Sequence, residues 1–184
     1  MSSLLLFACW RGAGPRRAFL RGWLFGAGSF GAGVFWIHQS FQFSNIGLGV
    51  AVPLTVVFVA FLSLYPALEG YLSQRLGVAS EGARLLLIYP ALWVLAEWLR
   101  GWLFTGFTWL QLGYSQIDSP LAGFLPLVGV YGVAWLVTFL AALILYAVDG
   151  GTRRRAGAIG TIVAVLLAGV ALRAVSWTDD AGTA

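Results

Sequence analysis

The sequence contains no lysine, one cysteine, one histidine and one methionine, and only 10% of its 184 residues are charged. A soluble domain carries roughly 25% charged residues, so the shortfall points to an integral membrane protein. The single Cys9 excludes an internal disulfide and a thiolate metal cluster. Its apolar neighbours in LLLFACW predict a buried, inert thiol. One histidine excludes a histidine-based metal site, and no metal or other cofactor is implied. The net charge of +4 comes entirely from arginine. Those arginines sit in short loops between apolar runs, which is a pattern of membrane topology and not of a nucleic-acid-binding face. No signal peptide is evident, because the apolar run Leu4–Trp10 precedes the first arginine instead of following a charged start.

The rest of the composition is apolar: 60% hydrophobic residues and a mean hydropathy of +0.86. That is enough for about five spans of ~20 residues joined by short loops, giving an all-α, polytopic transmembrane helix bundle. Residues 1–21 read as the end of a helix, or a surface-lying stub, followed by a basic loop with Arg11, Arg16, Arg17 and Arg21. The transmembrane bundle covers 22–177, with spans at about 22–37, 48–71, 85–104, 124–148 and 157–172. Residues 178–184 form a polar tail. In the first span Gly22, Gly26, Ser29 and Gly33 recur every three or four residues. Small residues at this spacing let another helix backbone come close in lipid, and packing is the expected role of that face. Pro53 and Pro66 bracket the second span, near ends where a missing amide donor is tolerated. Nine arginines fall in the loops at 11–21, 73–84 and 149–155, against Arg100 and Arg173 elsewhere. By the positive-inside rule the N-terminus is cytoplasmic and the C-terminus external.

The stretch most able to meet a substrate is 96–116, AEWLRGWLFTGFTWLQLGYSQ. Glu97 and Arg100 stand three apart, so they share a helix face and can pair. Each charge alone in a span costs about 3 kcal/mol on insertion scales. They read either as a structural ion pair or as the lining of a water-filled pocket, with Arg100 facing a lipid phosphate. Trp109, Gln111, Tyr114 and Gln116 follow within a few residues. An interfacial aromatic belt explains Trp and Tyr at such a place. The glycines at 101, 106 and 113 suggest a non-helical segment folded back into the bundle, which is tolerated only beside protein or a cavity. His38 with Gln39 is expected to cap the opposite loop.

The segments FWIHQS at 35–40, ALWVLAEWLRGWLFTGFTWLQLGYSQIDSPL at 91–121 and the following VGVYGVAWLV resemble the membrane portion of bacterial apolipoprotein N-acyltransferase, over about 16–177. Thr108 stands where many members have proline, and Tyr131 where some have glutamate. The resemblance implies acyl transfer from a phospholipid to the free amine of a diacylglyceryl lipoprotein in the inner membrane, with the C-terminus periplasmic. The chemistry would belong to an external nitrilase-like domain with a Glu–Lys–Cys triad acting through a thioester. With no lysine, and no cysteine after Cys9, this chain holds no such triad. It should begin after the family's first spans, end where that domain starts and be inactive alone. The resemblance thus implies a membrane platform for phospholipid and lipoprotein, served by a nitrilase-like catalytic domain, with no catalytic residue here. The substrate-binding candidates are Glu97, Arg100, Trp109, Gln111, Tyr114 and Gln116. Two alternatives stand beside it. One is a non-catalytic membrane partner of a separately encoded catalytic domain; the other is a small transporter around Glu97 and Arg100, for which no repeat symmetry is visible.

Overall fold

In the computed structural model, which describes residues 2–44, 46–78 and 80–177, every long segment is helical and no strand occurs among the described residues. The helices are α1 (Ser2–Trp10), α2 (Pro15–Gly33), α3 (Ile37–Ser40), α4 (Leu48–Leu62), α5 (Leu64–Arg75), α6 (Glu81–Ala83), α7 (Tyr89–Trp102), α8 (Leu125–Val148) and α9 (Thr152–Arg173). The expected tail at 178–184 lies outside the described residues. Four stretches are long and apolar enough to cross a membrane: Leu48–Arg75, Glu81–Trp102, Pro120–Val148 and Thr152–Arg173. A fifth long helix, α2, spans 19 residues, or about 28 Å at 1.5 Å per residue. Arg16, Arg17 and Arg21 occupy its first two turns. The molecule is an all-α membrane helix bundle, and its outer face is apolar: Ile159, Val163, Leu167 and Val170 of α9 are all exposed.

The prolines shape the long helices in different ways. Pro53 lies inside α4, whereas Pro66 stands in the first turn of α5, near a helix end as its place in the sequence suggested. Pro66 has no N–H to give the Leu62 carbonyl, and the chain breaks between α4 and α5 at Ser63. The Ser63 hydroxyl returns a bond to the Val59 carbonyl at 2.7 Å. Before α7 the chain makes one wide turn at Arg84–Ile88, bonded five residues apart, and Pro90 then sits in the first turn of the helix. Gly129 interrupts α8 with a φ of 64°.

The small-residue face of α2 does what its spacing predicts. A side chain at Gly22 would run into the backbone of Pro66, and one at Gly26 would lie 2.7 Å from the Ser63 Cα. Helix α2 therefore lies directly on α5. Ser29, on the same face, is left free of that contact and borders a cavity.

Two apolar cores fill the bundle. The first joins Leu6, Phe7 and Trp10 of α1 to Leu85, Tyr89, Ala142 and Leu145. Phe7 and Tyr89 approach to 4.9 Å between ring centres. Trp10 Nε1 donates to the Ala18 carbonyl at 3.0 Å, and Gln74 donates to the Tyr89 hydroxyl at 3.0 Å. Helix α1 is thus an integral part of this core, not a stub on the surface. The sequence reading of Cys9 also needs correction, because the residue is exposed. Buried positions in α1 are Ser3, Leu6, Phe7 and Trp10, and a helical period of 3.6 places Cys9 on the outward side. The second core gathers Phe30, Val34 and Leu62, with Phe58, Tyr65 and Phe107 against them.

At the first core's end of the bundle, Arg11 bridges two other loops, pairing with Glu81 and Asp149, while Arg84 also pairs with Glu81. The three basic loops therefore meet at one end. Trp36, Trp109 and the 103–124 segment lie at the other.

Candidate functional site

Between the two cores lies a cavity of about 270 Å³. Phe25 and Trp93, which pack on the first core, and Phe30 and Tyr65 of the second form its apolar walls. Beside the hydroxyls of Ser2, Ser29 and Ser115 it is lined by four larger polar groups: Glu69 from α5, Glu97 and Arg100 from α7, and Gln111 from the segment that follows α7. All four side chains are buried.

That following segment leaves the helix by backbone turns that few residues adopt. Phe104, Gly106 and Leu110 all have positive φ, at 51°, 83° and 61°. Only glycine takes such an angle without strain, and a Cβ at Gly106 would also collide with the Gly101 carbonyl. The chain thereby reverses and folds back over the end of α7, as the glycines at 101, 106 and 113 predicted. Phe107 N–H donates to the Arg100 carbonyl at 2.7 Å, satisfying one of the carbonyls that a helix end leaves open. Leu110 then drops its side chain onto the bare Cα of Gly33.

Glu97 and Arg100 hold this reversed segment, each by its own bonds. Glu97 Oε1 accepts from the Leu112 N–H at 2.7 Å and from Trp93 Nε1 at 3.1 Å. The Arg100 guanidinium donates to the Trp109 carbonyl and lies 5.2 Å over the Phe30 ring, a cation–π contact. The two charges do not form the ion pair that their spacing allows; the ion pairs among the described residues are those of Arg11 and Arg84. Residues three apart share a helix face, but here each side chain turns to a main-chain group of the returning strand of chain.

Of the six residues singled out in the sequence, Glu97, Arg100 and Gln111 are brought together at the cavity. Gln111 donates to the Tyr131 hydroxyl at 3.1 Å, so the tyrosine of α8 carries a polar group to this place. A Cβ at Gly101 would lie 2.7 Å from that same hydroxyl. Trp109, Tyr114 and Gln116 do not line the cavity. Trp109 contributes its carbonyl to Arg100 while its exposed ring packs 5.4 Å from Trp36. Tyr114 is exposed, and Gln116 donates to the Ser115 hydroxyl at 2.8 Å. His38 bonds through Nδ1 to the Phe35 carbonyl within its own turn.

Sequence reasoning missed Glu69 and Trp93 at this site, and gave Ser29 a packing role. The signal for Glu69 was present, since a carboxylate within an apolar span is costly and rarely idle. Among the described residues, no group of three His, Cys, Asp or Glu side chains stands together where a metal ion could bind. The cavity offers carboxylate and amide acceptors and one fixed guanidinium within apolar walls. It is suited to hold the polar end of an amphiphile.

Comparison with known proteins gives the chain its family. Residues 1–143 match the model of the apolipoprotein N-acyltransferase N-terminal domain. The chain is 45% identical over 183 residues to the apolipoprotein N-acyltransferase of Methylococcus capsulatus, covering 99% of this chain and 36% of that protein. It is 42% identical to the one from Coxiella burnetii, over 97% of this chain and 37% of the relative. Against the one from Chromobacterium violaceum it is 43% identical, over 91% and 33%. It spans about a third of the length of these relatives. The family-matched residues take in the second core, the reversed segment and the residues that line the cavity, and with identities above 40% over nearly its whole length the chain belongs to the apolipoprotein N-acyltransferase family.

Proposed function

We propose that this chain is the membrane platform of an apolipoprotein N-acyltransferase, receiving a phospholipid acyl donor and a diacylglyceryl lipoprotein from the bilayer. The bond-making groups belong to a nitrilase-like domain on polypeptide outside this sequence. The observation that carries the reading is the cavity between the two cores, where Glu69, Glu97, Arg100 and Gln111 meet inside an otherwise apolar bundle. Buried charge in a membrane helix is costly and is retained where it does work. Helix walls that are apolar outside and a cavity with a polar lining are what an amphiphile needs on entering sideways from the bilayer. The platform sits in the inner membrane with the basic loops at 11–21, 73–84 and 149–155 in the cytoplasm, a reading supported by their meeting at one end of the bundle. The reversed segment then lies on the periplasmic side, where a catalytic domain would take up the docked ends.

The test is an exchange. The corresponding segment of the Methylococcus capsulatus relative is replaced by this chain, and N-acylation of a diacylglyceryl lipopeptide is measured in proteoliposomes. The exchanged protein is expected to be active, and Glu97→Ala within it to lose most of that activity. The 184-residue chain by itself is expected to give none. N-acylation by the chain alone, or an inactive exchange that folds and inserts normally, contradicts the reading.

A further inference from the structure

At the end of the bundle where the basic loops meet, a second cavity of about 580 Å³ opens between the start of α2 and the end of α5. Arg16 and Arg17 reach it from α2, and Tyr71 and Arg75 from α5. Arg75 Nε donates to the Tyr71 hydroxyl at 3.1 Å, and its guanidinium lies 5.6 Å over the tyrosine ring. Those contacts orient the fork without using its two terminal nitrogens.

No carboxylate lines this cavity, and none of its three arginines forms an ion pair among the described residues. The acids of the neighbouring loops are already taken: Glu81 pairs with Arg11 and Arg84, and Asp149 pairs with Arg11. Three like charges from two helices therefore face one space, at the end of a helix pair held in backbone contact at Gly22 and Gly26. Like charges so placed repel, and an anion between them would turn that repulsion into a bridge. Guanidinium forks match the geometry of a phosphate group.

An apolar trough leads away from the arginines. Arg16 and Tyr71 also line an adjoining space of about 470 Å³, whose other walls are Phe19, Leu20 and Leu68. Leu20 and Leu68 are exposed on the outer face of the bundle. Positions 75 and 68 lie about 10 Å apart along α5, so the trough runs from the charged end of the helix pair towards the middle of the bilayer. A soluble anion would leave it bare, whereas a lipid fills both parts.

We propose that this end of the bundle binds a phospholipid of net negative headgroup charge, its phosphate held by Arg16, Arg17 and Arg75 and an acyl chain lying along Phe19, Leu20 and Leu68. The lipid bridges α2 and α5 and is not consumed. The site goes beyond the platform reading: it stands at the opposite end of the bundle from the reversed segment, and none of its residues lines the cavity between the two cores.

The experiment offers the purified 184-residue chain, in detergent micelles, equal amounts of phosphatidylglycerol and phosphatidylcholine with identical acyl chains, and reads retained lipid by native mass spectrometry. Phosphatidylglycerol is expected to be retained at least about tenfold over phosphatidylcholine, and Arg75→Gln to lower that preference about fivefold, the effect of one arginine beside an anionic headgroup. Arg16→Gln, on the other helix, should act in the same way. Arg153→Gln removes the same charge from a basic loop outside this cavity, and should leave the preference within about twofold. All three side chains are exposed, so none of these changes disturbs the core. Water-soluble glycerophosphoglycerol in large excess should not displace the lipid. Equal retention of the two lipids by the unaltered chain overturns the proposal. So does an equal fall in the Arg75 and Arg153 variants, which would show diffuse charge and no site, and so does displacement by the soluble headgroup, which would show that the trough takes no part. None of these outcomes touches the platform reading, which rests on the cavity between the cores.

Discussion

Replacing Gly26 by alanine tests the packing that holds the cavity together. The new Cβ would lie 2.7 Å from the Ser63 Cα, 2.8 Å from the Pro66 Cγ and 2.9 Å from the Ser63 Cβ. Ordinary contact begins at 3.4 Å, so α2 and α5 must part by about 0.7 Å, and no rotamer change relieves a clash with a Cα. A gap of that size forfeits a quarter to a half of each dispersion contact. With roughly 40 atom pairs at 0.1–0.2 kcal/mol each, the loss is about 1–4 kcal/mol. Alanine recovers about 0.5–1 kcal/mol in helix propensity, leaving a net destabilisation centred on about 2 kcal/mol. Gly28, two residues on in the same helix, is the control: a Cβ there meets nothing within 4 Å. Gly28→Ala should therefore be neutral or stabilising by up to about 1 kcal/mol. Unfolding in mixed micelles with a rising fraction of denaturing detergent, followed by tryptophan fluorescence, compares the two. Equal stability of both variants, or Gly28→Ala the weaker, would refute the argument that α2 and α5 are in backbone contact.

Glu97→Ala removes the acceptor for both the Leu112 N–H and the Trp93 ring, and should cost about 2–4 kcal/mol in the same assay; Glu97→Gln still accepts both and should cost less than about 1 kcal/mol. Tyr131→Phe leaves the Gln111 amide without its partner and should destabilise by about 0.5–1.5 kcal/mol. For orientation, alkaline phosphatase fused after Ala184 should be active and the same enzyme fused after Arg75 inactive, and the reverse pattern would invert the assigned topology.

The sequence showed most clearly what depends on spacing along one helix. Gly22 and Gly26 recur four apart, and that interval alone exposes a strip of bare backbone for α5 to meet. The glycines at 101, 106 and 113 marked a chain reversal because Gly106 takes a conformation that side chains resist. Arginine distribution grouped three loops that the structure joins through Arg11. Legibility ended where side chains from different helices meet. Glu69 lies 28 positions before Glu97 (97 − 69), and nothing in that interval says that α5 and α7 face one cavity. The three-residue separation of Glu97 and Arg100 allowed either an ion pair or a pocket lining, and the ion pair does not form. Each charge instead found a main-chain partner, at Leu112 and Trp109, created by the reversal itself. Local composition misjudged Cys9, because an apolar neighbourhood in sequence is not burial when the helix turns that position outward. Trp109, Tyr114 and Gln116, named with Glu97 and Arg100 for their place in one stretch of chain, do not line the cavity, although Ser115 of the same short turn does.

In the docking proposed above, a membrane amphiphile places its polar end among Glu69, Glu97, Arg100 and Gln111. A phospholipid carrying a photoactivatable group beside its headgroup, incorporated with the chain into nanodiscs, tests this most directly. After illumination and digestion, labelled peptides are expected from α2, α5, α7 and residues 107–116, with loss of that labelling when Ala96, a small residue of the cavity wall, is replaced by tryptophan to fill the space. Label spread evenly over the outer face of α9, and unchanged by Ala96→Trp, would contradict it.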